Sequence, residues 1–183
     1  MVNEELYRLI HDAKNGDKHA YNDLVGMYNA KVYRHAFAMT NDRMEAEDIA
    51  QEAFIKAFYS LHRLENEYAF VSWMTRIVHN LCMDRIKKKK REGKKHEKMK
   101  ENLTFQDRQS YQDQHLNTKL TIEEAMQRLT KEHRAVISLC DIQGFTYEEM
   151  ATILKVPLGT IKSRIYSARN QLKKHLLRGE DNE

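Results

Sequence analysis

The sequence predicts an all-α fold of two small helical domains joined by a flexible charged linker, the second domain containing a helix-turn-helix. Three observations carry this. Apolar residues recur at three- and four-residue steps along most of the chain, and strand-like alternation with turn signals is absent. The 183 residues include only six glycines and one proline, few turn formers for a protein of many short strands. From residue 92 to 117 the periodicity stops, and Lys, Glu, Gln, Asp and Asn dominate, with Leu103, Phe105 and Tyr111 as apolar exceptions. The chain therefore divides into a first domain (1–91), a linker (92–117), a second domain (118–178) and a short tail (179–183). No internal repeat is visible.

The first domain reads as four helices. Asn3 to Lys14 is amphipathic, with Leu6, Leu9 and Ile10 on its buried side, and Asn15-Gly16-Asp17 ends it. Lys18 to Met39 follows, burying Tyr21, Leu24, Val25, Tyr28, Val32 and Phe37. Thr40-Asn41-Asp42 is a break with good capping residues. Glu45 to Leu61 has no Gly or Pro and places Ala46, Ala50, Ala53, Phe54, Ala57 and Leu61 on one side. Its other side carries Asp48, Gln51, Glu52, Ile55 and Tyr59, a mixed acidic, apolar and aromatic strip of the kind a protein partner covers. After a polar connection, Leu61 to Ala69, the fourth helix runs from Phe70 to about Arg91. Phe70, Trp73, Met74, Ile77, Val78 and Leu81 pack inward, Trp73 as a core anchor, while Arg76, Asn80, Met83 and Lys87 project from another side. The run Lys87 to Arg91 complements the helix dipole, but five cations exceed what that purpose needs.

The second domain also reads as four helices. Thr121 to Leu129 carries Ile122, Ala125, Met126 and Leu129. Thr130 caps a helix with Ala135, Val136, Leu139, Cys140 and Ile142 inward, which Gly144 ends. Thr146-Tyr147-Glu148-Glu149 is a capping box opening a helix to Leu154. Lys155-Val156 is the turn, and Pro157 takes the first position of the last helix, which reaches about Leu177. Ile161, Ile165, Ala168 and Leu172 face inward; Gly159, Lys162, Ser163, Tyr166, Asn170 and Lys173 face outward, flanked by Arg164 and Arg169. A short helix, a turn and a one-sidedly basic helix form a helix-turn-helix whose second helix suits a major groove.

Charge supports this. The net charge is +4, unevenly spread. Residues 85–100 hold ten Lys or Arg against two Glu, and residues 160–178 hold six with no acid. Residues 44–68 hold six acids against two bases. Two basic stretches suit a polyanion; the acidic one meets something else. Cys82 and Cys140 lie among apolar residues without CxxC spacing, so two buried thiols in a reducing compartment are expected. The nine His have no ligand spacing, so no metal and no cofactor is predicted. No signal-peptide core or membrane-length apolar run is present, which predicts a cytoplasmic protein.

Three stretches, EAEDIAQEAFIKAF, FVSWMTRIVHNLCMDRIKKKK and GFTYEEMATILKVPLGTIKSRIYSARNQL, occur in this order and spacing. Together they strongly resemble bacterial sigma factors of the extracytoplasmic-function (ECF) type, within the sigma-70 family. The resemblance spans roughly Lys18 to Leu177. It implies that Asp48, Gln51, Glu52, Ile55 and Tyr59 dock on the clamp helices of the largest subunit of core RNA polymerase. It implies that Arg76 and Asn80, with the Leu61–Ala69 connection, contact the melted −10 region, and that Lys87, Lys88 and Arg91 take its phosphates. It implies that Thr160, Lys162, Ser163, Arg164, Tyr166 and Arg169 read the −35 element of promoter DNA. Ser167 stands where many relatives carry Arg, which leaves the promoter sequence open. The resemblance further implies an anti-sigma factor, often membrane-bound, and no small-molecule substrate. The competing reading is a stand-alone helix-turn-helix regulator. An enzyme is disfavoured, because no group of carboxylates, His or nucleophile has a catalytic spacing.

Overall fold

The computed structural model describes residues 4–100 and 121–177, with side chains described for 4–92 and 121–177. Among them there is no strand. The apolar residues of the linker and the last residues of the tail lie outside the described residues.

The first domain holds α1 (Glu4–Lys14), α2 (Lys18–Thr40), α3 (Arg43–Ser60) and α4 (Phe70–Lys100). Its boundaries follow from local chemistry. Gly16, at φ +100°, adopts the left-handed turn that lets the chain reverse after α1. The Asp17 carboxylate accepts from the His19 and Ala20 amides at 2.8 and 3.3 Å and caps α2. Asn41 takes the left-handed conformation at the end of α2, and Asp42 accepts from the Glu45 amide at 3.1 Å to start α3. Two single 3₁₀ turns, Leu61–Arg63 and Glu67–Ala69, fill the connection to α4. Leu61 and Leu64 are buried there, so the polar-looking connection is anchored at two points.

α3 packs against α2 and α4. Ala46, Ala50, Ala53 and Ala57 are buried, and such small residues allow neighbouring backbones to approach closely. Ile49 is fully buried as well; it continues the same three- and four-residue rhythm and was not among the expected core positions. The Tyr21 hydroxyl donates to the Phe54 carbonyl at 2.5 Å, tying α2 to α3. α4 continues to Lys100, past its expected end near Arg91, because the strong helix formers Lys, Glu and Met around the single Gly93 carry the helix through it.

The second domain holds α5 (Ile122–Gln127), α6 (Lys131–Ile137) continued by a π-type turn (Ser138–Ile142), α7 (Tyr147–Leu154) and α8 (Leu158–Leu177). Thr121 and Thr146 each form a capping box, with Glu124 and Glu149. Pro157 stands one residue before the first assigned helical residue, and its carbonyl accepts from the Thr160 and Ile161 amides. Leu139, Met150, Ile153 and Ile161 are almost wholly buried, and each contributes about 1.5–3 kcal/mol by leaving water. Two expected core residues are exposed instead: Ile122 at the start of α5 and Ile142 in the π-type turn. The wider turn rotates Ile142 out of the α-helical rhythm and leaves Ile137 buried in the core. Cys82 is buried, as expected, but Cys140 is only half-buried, since the same turn brings it beside Asp141 and Arg169.

The two domains pack directly on one another. α4 meets α7, and α2 meets α6 and the π-type turn. Ala135 of α6 belongs to the core of the first domain. His35 lies at this seam, fully buried, with its Nδ1 2.9 Å from Ser138 Oγ and 3.0 Å from Gln143 Nε2. Arg134 donates across the seam to the Met39 carbonyl at 2.8 Å. That carbonyl belongs to the last turn of α2, where it has no partner within the helix.

Candidate functional site

Three faces collect the side chains singled out in the sequence. The first is the outer side of α3. Asp48 and Gln51 are exposed there, with Ile55 at 58% and Tyr59 at 73%. Phe58, 45% exposed, joins them; it was missed although it stands three residues from Ile55 on the same helix. Its ring lies edge-on to Tyr21 and to Tyr59, at 5.1 and 5.5 Å between centroids. Glu52 is different. Its carboxylate accepts from Lys56 at 3.0 Å and from Arg85 of α4 at 3.1 Å. Lys56 first, then Arg85, holds its carboxyl below the usual range. Glu52 thus braces α3 against α4 as well as facing outward.

The second face runs along α4 from the connection that precedes it. Asn66 caps the second 3₁₀ turn by accepting from the Tyr68 amide at 2.9 Å. Arg63, Asn66, Ser72, Trp73 and Arg76 line an open cleft of about 330 Å³, whose far wall is Thr152 and Ile153 of α7. Trp73 is half-buried: it packs 6.0 Å from Phe70 and also lines the cleft, so the expected core anchor has a second exposed side. Asn80 is exposed one turn after Arg76, and Lys87, Lys88 and Arg91 are exposed further along. From Arg76 to Arg91 the helix rises by about 22 Å. Lys87 and Lys88 make only long, exposed pairs with Asp84 and Glu92. Lys89 is committed to the fold: it pairs with Glu45 and Asp42 at the start of α3, which raises its pKa. His79 is buried beneath this face, 5.9 Å from the His35 ring, and is no surface reader.

The third face is α8. Ile161, Ile165 and Ala168 are buried against α6 and α7, which turns Lys162, Ser163, Tyr166 and Arg169 outward. Tyr166 is 72% exposed, and Thr160 and Arg164 are half-buried. The Ser163 hydroxyl donates back to the Thr160 carbonyl at 3.0 Å. Arg169 is held by both carboxylate oxygens of Asp141, at 2.5 and 3.3 Å, and this partner raises its pKa. No local pattern signals that pairing, because Asp141 lies 28 residues away. Among the described residues no group of His, Cys, Asp and Glu is placed to hold a metal, and no helix is long and apolar enough to cross a membrane.

Comparison with known proteins matches two stretches of the chain to family models. Residues 24–92 match sigma-70 region 2, and residues 119–172 match sigma-70 region 4. The chain is 35% identical over 180 residues to the ECF RNA polymerase sigma factor SigW of Bacillus subtilis, covering 93% of this chain and 96% of that one. It is 30% identical to the RNA polymerase sigma-H factor of Pseudomonas aeruginosa, covering 96% of each. In fold it is similar to the sigma factor RpoE of Bartonella quintana, solved with the anti-sigma factor NepR, with a TM-score of 0.68 and 24% identity over 85% of this chain and 96% of that one. A stand-alone helix-turn-helix regulator would account for the region 4 match but not for region 2 ahead of it. The chain belongs to the ECF sigma factors of the sigma-70 family and is an RNA polymerase sigma factor.

Proposed function

We propose that the three faces divide promoter recognition between them. The first domain, 1–91, binds polymerase and opens the −10 region; the second, 118–178, grips the −35 element; residues 92–117 link them. The α3 face, with Asp48, Gln51, Glu52, Ile55 and Tyr59, docks on the clamp helices of the largest polymerase subunit. The observation that carries this is the row of exposed apolar side chains Ile55, Phe58 and Tyr59 beside carboxylates, on a helix whose opposite side is fully packed. A merely solvated helix face does not keep three large apolar residues in a row.

The α4 face takes the non-template strand. Arg76 and Asn80 approach bases at the cleft, and Lys87, Lys88 and Arg91 follow the phosphates along the helix. An unstacked base needs an aromatic or polar seat beside cations, and Trp73, Asn66 and Arg76 supply that chemistry around one cleft. On α8, Thr160, Lys162, Ser163, Arg164 and Tyr166 enter the −35 major groove, and Arg169 takes a phosphate after exchanging Asp141 for it. The protein initiates transcription without catalysis of its own and works in the cytoplasm, where polymerase is. It is held by an anti-sigma factor when not in use; exposed Ile122 and Ile142, rimming an apolar cleft with Phe37 and Met126, support a further protein contact.

The test is run-off transcription with core RNA polymerase, this protein and a pool of genomic promoter fragments. Transcripts that depend on the protein, with start sites that align two shared elements, are the expected result. Absence of transcripts, with duplex binding but no co-elution with core, would overturn the proposal.

A further inference from the structure

α1 lies ahead of residues 24–92, the segment that matches region 2, yet it is built into the connection before α4. Its inner side is anchored by Ile10, 1% exposed, and Ala13. From its last turn Lys14 reaches across the chain to Glu67, Nζ to Oε1 3.1 Å, and His11 Nδ1 stands 3.8 Å from the same oxygen. Glu67 keeps only 11% of its side chain exposed. One turn earlier Tyr7 lies beside Tyr68, 5.1 Å between centroids, and beside His11 at 6.3 Å. Tyr68 itself is 60% exposed, next to the cleft residues Asn66 and Ala69.

These contacts are more than surface decoration. The Glu67–Ala69 turn is a single turn of 3₁₀ helix, supported internally by the Asn66 cap, the Ala69 amide to the Asn66 carbonyl and the Phe70 amide to the Glu67 carbonyl. An isolated turn of this size does not hold one conformation, since fixing each residue costs about 1–2 kcal/mol. The backbone amide of Glu67 first, and then Lys14, keeps the Glu67 carboxyl below its usual range, so the carboxylate is charged and held at neutral pH. Leu61, Leu64 and Phe70 pin the connection in the core. α1 adds the contacts that hold the Glu67 and Tyr68 side chains.

We propose that α1 is a positioning element for −10 recognition: Lys14 clamps Glu67 and Tyr7 backs Tyr68, so that Tyr68 presents its ring as a stacking platform at the mouth of the Arg76 cleft. This rests on the reading of that cleft as the seat of the −10 strand. Lys14 and Glu67 touch no DNA. Their pair fixes where the turn sits, and therefore which base fits between Tyr68, Asn66 and Arg76. Tyr68 contributes stacking, which every base can use; the placement of the turn supplies the discrimination.

The experiment uses holoenzyme assembled from core polymerase and the full chain. Its probes are a fluorescent single-stranded oligonucleotide carrying the −10 sequence mapped by run-off transcription, and the same oligonucleotide with the −10 bases permuted. The readout is the ratio of the two affinities. Lys14→Glu lowers the ratio about tenfold and leaves core binding and −35 duplex binding unchanged. The double variant Lys14→Glu/Glu67→Lys restores most of it, which a general loss of stability cannot do. Should Lys14→Glu disturb α1 itself, Lys14→Met, which keeps the stem without the charge, reads the same ratio. Tyr68→Ala weakens both oligonucleotides alike by about tenfold, within the range of a lost base stack. An unchanged ratio in Lys14→Glu beside a discriminating wild type overturns the proposal. If instead the wild type itself does not discriminate and Arg76→Ala has no effect, the cleft is not the −10 seat, and the proposal falls with that reading.

Discussion

The seam between the two domains and the outer face of α8 are both polar in sequence, and physically they are opposites. At the seam, His35, Ser138 and His79 are buried; Gln143 reaches His35, and Arg134 donates to the Met39 carbonyl at the rim. On α8, Lys162, Ser163 and Tyr166 stand in water, packed only at their roots. Burial decides what each group can do. A buried imidazole cannot take up a proton without losing its hydration, so the two histidines of the seam stay neutral. An exposed cation keeps its charge and can trade water for phosphate. The contrast teaches that polar composition alone does not mark a binding surface in this chain; the partner across the fold does.

The strongest way to break the comparison is acid. Burial drives the His35 pKa from 6.5 down to about 3, with the neighbouring His79 adding to it, and drives His79 down to about 4. Both groups are neutral in the packed state and take up protons near pH 6.5 once exposed. Their contribution to stability is therefore complete above pH 6.5 and is lost as pH falls below it, toward the folded values. By linkage the pair removes about 3 kcal/mol between pH 7.5 and 5.5, a window above the carboxylate range. Urea unfolding across that window measures it, and His35→Phe should remove about half the slope. A flat profile would mean that the seam is open to water.

The sequence makes most of the architecture legible, because helix periodicity and caps are local. Asp42, Thr130 and Thr146 cap where their spacing indicates; Asp17 and Thr121 cap as well, at positions the sequence reading marks only as a helix end and a helix start. The buried alanine side of α3 and the Ile161, Ile165, Ala168 side of α8 follow from rhythm alone. Long-range partners are not legible. Nothing near His35 in sequence points to Ser138, 103 residues away, and nothing near Glu52 points to Arg85. The exposed Ile142 and half-buried Cys140 were misplaced for another reason: a π-type turn shifts the phase after Ile137, and no breaker residue announces it.

The second test acts on the other side of the comparison. Lys162→Ala with Arg164→Ala should weaken −35 duplex binding about 10- to 100-fold, at about 1–3 kcal/mol for a lost base contact and less for a phosphate. The slope of log affinity against log salt should fall by about 1 for each phosphate contact removed. Thermal stability should hardly move, since neither side chain makes an ion pair among the described residues. If −35 substitutions stay equally harmful in variant and wild type, α8 is not the reader. The companion change on α3, Asp48→Lys, should abolish co-elution with core polymerase and leave the fold intact. Glu52→Lys should do the same and also loosen α3 from α4, because it sets a third cation against Lys56 and Arg85.

A smaller effect is expected at the rim of the seam. Arg134 is half-buried and donates to the carbonyls of Met39 and Leu129, at 2.8 and 3.2 Å. Burial lowers its pKa, so the desolvation of its charge works against these bonds. Arg134→Met keeps much of the stem packing and removes both, leaving the Met39 carbonyl without a donor. A loss of about 1–2 kcal/mol in urea unfolding is expected, in line with hydrogen bonds to a charged donor. A loss near zero would show that the other seam contacts, among them the packing of Ala135 and the His35–Ser138 hydrogen bond, hold the domains together without it.

The smallest effect discriminates best, because it sits where the two regions resemble each other. Arg169 belongs to the exposed face of α8, yet Asp141 holds it as a seam residue would be held. The pair is bidentate but substantially exposed, so in water it contributes no more than about 1 kcal/mol to stability. Asp141→Asn keeps the shape and removes the charge. Stability should change by less than that amount, while affinity for −35 duplex should rise a few-fold, because Arg169 no longer has to leave a carboxylate to reach a phosphate. Arg169→Ala should lower the affinity, and the double variant should match Arg169→Ala alone, since Asp141 then has nothing to restrain. If Asp141→Asn weakens binding instead, the carboxylate orients Arg169 toward DNA, and the pair is part of the reading face in the free protein.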